Sequence, residues 1–153
     1  MTMKIIAASA LPTGAEDQKT LQIANDAELA DLVAIGALEG VQRVELQFPK
    51  FTDGRAYSQA VLLSRRYRFA GDIRATGDVL IDQLVHMHRS GFTSAVLAEG
   101  VDAAAAERQF ARFSGFYQGD VNEPRPHFAR DAASDQASDA ERDGARDTAL
   151  ESA

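Results

Sequence analysis

The sequence predicts an α/β domain built on a mainly parallel sheet. Three observations carry that prediction. Apolar residues alternate with polar ones in a strand-like segment, segments of helical period follow such strands, and this strand-then-helix unit recurs about four times. Crossovers of that kind are right-handed, and ligand sites then lie beyond the carboxyl ends of the strands. The pattern fits a small open three-layer sheet or a half-barrel-like fragment.

The elements follow in order. Residues 1–20 read as a short strand and a loop, the loop marked by Pro12-Thr13-Gly14 and a polar run to Lys19. Leu21 to Ala24 is a strand, and a helix from Asn25 through Leu38 follows, with Asn25 and Glu28 spaced as a capping box and Gly40 as the C-terminal cap. Val41 to Phe48 places Val44, Leu46 and Phe48 on one face with period two, which marks a strand. Arg55 to Phe69 is helical, with Ala56, Ala60, Leu63 and Tyr67 sharing a side. Asp72 to Thr76 is a strand, Asp78 to Arg89 a helix, Ser94 to Ala98 a strand and Asp102 to Phe113 a helix, with Phe116-Tyr117-Gln118 as a last edge strand. The α/β domain is therefore expected over residues 21–120.

Composition changes after about Asp120. From Glu123 onward come eight acids and four arginines among Ala and Ser, with Phe128 and Leu150 the only large apolar residues. Such a segment buries too little surface to offset ordering entropy of roughly 1–2 kcal/mol per residue. Residues 121–153 read as a disordered acidic tail, dispensable for folding beyond about Pro126.

Charge and composition exclude several function classes. With 16 basic against 23 acidic residues the net charge is −7, which disfavours nucleic acid and anionic membranes as partners. The absence of cysteine removes disulfides, thiolate nucleophiles and Cys-ligated zinc or iron-sulfur clusters. Neither a signal sequence nor a run of roughly 20 apolar residues is present, so the expectation is a soluble cytoplasmic protein. No cofactor motif appears: G-x-x-x-x-G-K-[ST] and G-x-G-x-x-G are both missing.

Two polar loops carry the candidate site. In the first, Lys50, Asp53, Gly54, Arg55, Ser58 and Gln59 surround a predicted helix start, whose free amides and positive dipole end suit a phosphate, sulfate, sulfite or carboxylate. A capped helix with Arg55 paired to a nearby acid is the bland alternative. In the second, Arg74 is placed at a strand end, Gly77 and Asp78 open a helix, and Asp82 and Gln83 follow one turn later. Asp78 and Asp82 then share a helix face, where an arginine or a divalent cation could join them; an ion-pair network tying adjacent loops together is the stronger expectation. Arg55, Arg74, Asp78 and Glu99 should converge on one rim. His86 and His88, at i and i+2, face different sides of a helix and cannot chelate one ion, and no metal site is expected. Ser58 lacks the nucleophile-elbow surroundings of a hydrolase serine. Among the aromatics, core packing explains most, and Phe51 or Tyr57 is the candidate for an exposed partner contact.

The run Phe48 to Ala60, the run Gly71 to Leu84 and Arg89-Ser90-Gly91-Phe92 resemble the bacterial family called domain of unknown function 934. The blocks F-x-x-F-x-D-G-R and G-D-V-L-x-D-Q stand in order, and the likeness covers roughly Leu21 to Tyr117. Members of that family are often encoded beside the haem and iron-sulfur sulfite (or nitrite/sulfite) reductase and are described as oxidoreductases of sulfite reduction. The resemblance thus implies a place in sulfite reduction; because the chain has neither cysteines for clusters nor a dinucleotide fingerprint, the expectation is an accessory protein of assimilatory sulfite reduction that binds an oxyanion or the reductase through the loop rim. The resemblance marks Asp53, Gly54, Arg55, Ser58, Gln59, Arg74, Gly77, Asp78, Asp82 and Gln83 as site positions. Two alternatives remain: a small enzyme acting on a phosphorylated or sulfonated metabolite, with Asp78 as general base and Arg55 and Arg74 as anion clamps, and a structural or regulatory interaction protein. The chain departs from the family pattern at Ala56, where glycine is common, and at Arg68, where glycine usually precedes the aromatic.

Overall fold

The computed structural model describes residues 3–11, 19–112, 116 and 118–126. Within these residues five strands, β1 (Lys4–Ile6), β2 (Thr20–Ile23), β3 (Arg43–Phe48), β4 (Asp72–Gly77) and β5 (Ser94–Val96), form one sheet in the order β1-β5-β4-β3-β2. Every pairing is parallel. Among the described residues four α-helices accompany them: α1 (Leu29–Ala34), α2 (Arg55–Val61), α3 (Leu84–Ser90) and α4 (Ala103–Phe110). The fold is α/β, as the alternation predicts.

Strand register explains the two faces of the sheet. Val44 pairs with Leu21 and Ile73, and Leu46 with Ile23 and Ala75. These residues share one core with Leu29 of α1, Ala56 and Ala60 of α2, Leu84 and Met87 of α3 and Ala106 of α4. All four helices thus cover the same face. That is what three successive right-handed crossovers running β2 to β5 in one direction require. The intervening residues Arg43, Glu45, Asp72, Arg74 and Ser94 fall on the other face, because side chains alternate along a strand.

Several element bounds differ from the periodicity reading, each for a local reason. α1 begins at Leu29 with Glu28 as its N-cap residue and no side-chain cap, so the Asn25…Glu28 capping box does not form. It ends in a Schellman arrangement on Gly36, not Gly40: Gly36 N–H donates to Val33 (3.0 Å) and Ala37 N–H to Leu32 (2.9 Å). α2 runs on through a wider π turn, Leu62–Arg66. The chain leaves it through Arg68 at φ +49, the only left-handed non-glycine among the described residues. α3 does not start at Asp78; a 3-10 turn, Ile81–Gln83, precedes it. Asp102 caps α4 by accepting the Ala104 N–H at 2.9 Å.

Residues 115–153 make a second unit apart from residues 1–114. Within it the Asp120 carboxylate accepts the N–H groups of Asn122 (2.8 Å) and Glu123 (2.9 Å), an Asx turn. Phe116 and Gln118 are not in a strand, so the expected edge strand is absent at these positions. Tyr117 and the expected tail from residue 127 onward lie outside the described residues. No helix among the described residues is long and apolar enough to cross a membrane.

Candidate functional site

The loops following β2, β3 and β4 open at the carboxyl end of the sheet, and polar side chains stitch each to the next. Gly77 makes the central stitch possible. A Cβ there would sit 2.3 Å from the Phe48 carbonyl oxygen, and φ is +90°, so only glycine lets the end of β4 pass this close to β3. The next residue then donates: Asp78 N–H to Phe48 O at 2.8 Å. This anchors Asp78, whose Oδ2 accepts the Phe51 N–H at 2.9 Å. From the following 3-10 turn, Gln83 Nε2 donates to the Phe51 carbonyl at 3.1 Å. Both polar backbone groups of Phe51 are therefore fixed, while the residue is 46% exposed and next to the exposed Lys50.

A second stitch joins the first loop to the β2–α1 loop. Asn25 Nδ2 donates to Asp53 Oδ2 at 2.6 Å, and the buried Gln59 donates to the carbonyls of Ala24 (2.9 Å) and Ala27 (3.1 Å). Asp53 also holds Arg55 in a fork: Nε to Oδ1 at 3.0 Å and one terminal nitrogen to Oδ2 at 2.7 Å. The side-chain and backbone hydrogen bonds from Arg55 pull the Asp53 carboxyl down to about 2, and Asp53 in turn raises Arg55.

This arrangement changes the expected anion site. Arg55 N–H donates to Asp53 Oδ1 (3.2 Å) and Tyr57 N–H to Gly54 O (3.2 Å), so these helix-start amides have partners within the chain. The carboxylate of Asp53 already occupies the positive end of α2 and neutralises Arg55. Ser58 and Lys50 remain exposed.

Arg74 does not join the rim. It points to the opposite face of the sheet, where its side chain is 5% exposed and contacts Asp72 (3.2 Å), Ser94 Oγ (3.2 Å) and Glu45 (3.9 Å). Arg43 Nε also donates to Asp72 at 3.0 Å, and the hydroxyls of Thr93 and Ser94 donate to its other oxygen at 2.6 and 2.7 Å. Burial alone would raise Asp72, but these hydrogen bonds and the Arg74 charge hold it below its ordinary value. The residues Asp72, Thr93 and Ser94 escaped the functional reading of the sequence; the period-two alternation of polar residues in residues 43–47 and 72–76 was the available signal.

Asp78 and Asp82 do not share a helix face, since Asp78 precedes the 3-10 turn. Asp82 is exposed and, after burial, is the second cause of a raised Tyr57 hydroxyl. Tyr57 meets Phe48 edge-on (5.1 Å) and His86 at a tilt (4.4 Å), whereas His88 meets Phe110 at 5.9 Å, so the two histidines do face different sides of α3. Among the described residues no three His, Asp or Glu side chains gather as a metal site.

Two further clefts line the rim. Val79, Leu80, Ile81, Ala98 and Val101 wall an apolar one of about 390 Å³, with Asp82 and Gln109 at its margin. Another, about 530 Å³, lies between the ends of β1 and β5 and includes Ser9, Glu99 and Asp102. Glu99 thus sits on the carboxyl rim with Arg55 and Asp78, on a different loop.

A family model described as a bacterial protein of unknown function (DUF934) matches residues 20–128. The chain belongs to this family. No curated protein and no solved structure matches the chain. In this DUF934 chain, the glycine and carboxylate of G-D-V-L-x-D-Q and the carboxylate of F-x-x-F-x-D-G-R are the stitching residues themselves: Gly77, Asp78 and Asp53.

Proposed function

We propose that this DUF934 protein is an accessory factor of assimilatory sulfite reduction that docks on the sulfite (or nitrite/sulfite) reductase through its βα-loop rim. One observation carries the docking reading: Phe51 is presented with nearly half its surface exposed while its N–H and C=O are held by Asp78 and Gln83. An exposed aromatic on a pre-ordered loop loses little conformational freedom on binding, which is how interface anchors gain affinity. Family membership supports the pathway, through the reductase genes that often accompany this family. Of the two ligands considered for the rim, the reductase is favoured over an oxyanion because Asp53 takes the place an anion would occupy at α2.

Growth of a deletion strain tests the proposal. The strain should fail on sulfate and on sulfite and grow on sulfide or cysteine, and a plasmid copy should restore growth. Phe51→Ala should melt as the wild type does yet fail to restore it. Normal growth of the deletion strain on sulfite removes the pathway; full rescue by Phe51→Ala removes the docking residue.

A further inference from the structure

The carboxyl rim carries a knob and a hole on either side of one short segment. Residues 79–82 are bracketed by Asp78 and Gln83, which clamp Phe51 on the β3 side. On the β5 side the same segment walls the apolar cleft of about 390 Å³. The two features differ in charge. The exposed Lys50 adjoins the Phe51 knob, where the Asp78 carboxylate is taken up by the Phe51 N–H, whereas Asp82 lies on the cleft margin and Glu99 adjoins its wall residue Ala98; Asp102, next to Val101, is paired with Arg108.

A two-fold interface needs one surface to contain both halves of its contact. This rim does, in shape and in charge. We propose that a second copy of this chain docks rim to rim, the Phe51 ring of each copy seated in the apolar cleft of the other and Lys50 of each facing Asp82 and Glu99 of the other. A net charge of −7 opposes indiscriminate self-association, so the local pairing of Lys50 with the acidic cleft margin selects this face over others. Each contact occurs twice by symmetry, and the clamped backbone lets the knob bind without first being ordered. The inference stands on the rim geometry alone and holds with or without a reductase. A second copy and a reductase would compete for the same ring.

Analytical ultracentrifugation of the full chain, from about 1 μM to about 1 mM at low salt, tests it. The expected result is a reversible monomer–dimer equilibrium within that range. Phe51→Ser should weaken association roughly 100-fold, tenfold for each of the two seated rings. Lys50→Glu should weaken it too, and the double variant Lys50→Glu with Asp82→Lys should recover it. Circular dichroism melts confirm that each variant is folded. A wild-type chain that stays monomeric throughout, a dimer indifferent to Phe51→Ser, or a double variant no better than Lys50→Glu overturns the proposal.

Discussion

Replacing Arg74 by alanine removes a guanidinium that touches Asp72, Ser94 and Glu45 from a 5% exposed position. Breaking a buried ion pair from one side costs about 3–5 kcal/mol, because the remaining charge is left without a partner. Here the remainder is softened. Asp72 keeps Arg43 and two hydroxyl donors, Glu45 keeps Gln22 at 3.1 Å, and the two carboxylate side chains are 25% and 18% exposed. The expected loss is therefore about 2–3 kcal/mol, or a fall in Tm of roughly 4–12 °C for a chain of this size. Urea denaturation followed by circular dichroism reads it as a lower midpoint at unchanged slope. The pH dependence has a fixed sign. Asp72 is held below its ordinary 3.8, so its attraction to Arg74 is fully present above that value and disappears as the pH falls through the lowered one. The gap between wild type and variant should narrow in acid. A variant that melts as the wild type does, while losing measurable sulfite or sulfate binding, would return Arg74 to the role of anion clamp and refute the structural one.

Three other outcomes are expected. Gly77→Ala should destabilise the fold by at least about 3 kcal/mol, since its Cβ would meet the Phe48 carbonyl at 2.3 Å in a left-handed conformation; a loss under about 1 kcal/mol in urea denaturation contradicts the close approach. Arg68→Gly should stabilise by about 0.5–1 kcal/mol, because a left-handed non-glycine residue costs roughly 1–2 kcal/mol and the added chain freedom of glycine offsets part of that gain; an unchanged or lower melting temperature counts against strain at this position. His86 is an exposed residue held below 6.5 by partial desolvation and then by Arg89, so the unfolded chain takes up the proton first. Stability should be full above about pH 6.5 and decline below it, and His86→Gln should lack that slope in midpoints taken between about pH 7 and pH 5.

The fold class was legible because hydrophobic period alone separates strands from helices, and a strand-helix repeat leaves only parallel pairing. Local ends were less so, because side chains that look like caps are used elsewhere. Asn25 reads as a helix cap but reaches across to Asp53, and Asp78 reads as a helix start but closes onto Phe51. Such long-range partners leave no mark on local spacing. Arg74 is a different case. Period two places Ile73 and Ala75 toward the helices, so Arg74 had to face away from them and could not also turn to the loops around α2. Glycine was informative in the opposite way: the position at which the resemblance leads one to expect glycine is the one at which Arg68 adopts a left-handed backbone.

The polar residues of the two motif blocks act on backbone more than on one another. Asp78 and Gln83 hold one peptide unit on each side of Phe51, Gln59 holds two carbonyls of the neighbouring loop, and Asp53 holds the Asn25 amide and the first turn of α2. A general base or an anion clamp needs its polar atoms directed at a reacting group. These atoms are directed at the chain. What faces outward at the rim includes the Phe51 ring and Lys50 together with Arg55, Ser58 and Asp82, with an apolar cleft beside them. An exposed aromatic held rigid is disfavoured by its contact with water and gains nothing for the isolated fold. Burial against another protein surface would recover that loss, and the fixed backbone means that little further ordering is required when it occurs. The same stitching that stabilises the loops therefore argues for recognition at the rim in preference to chemistry there.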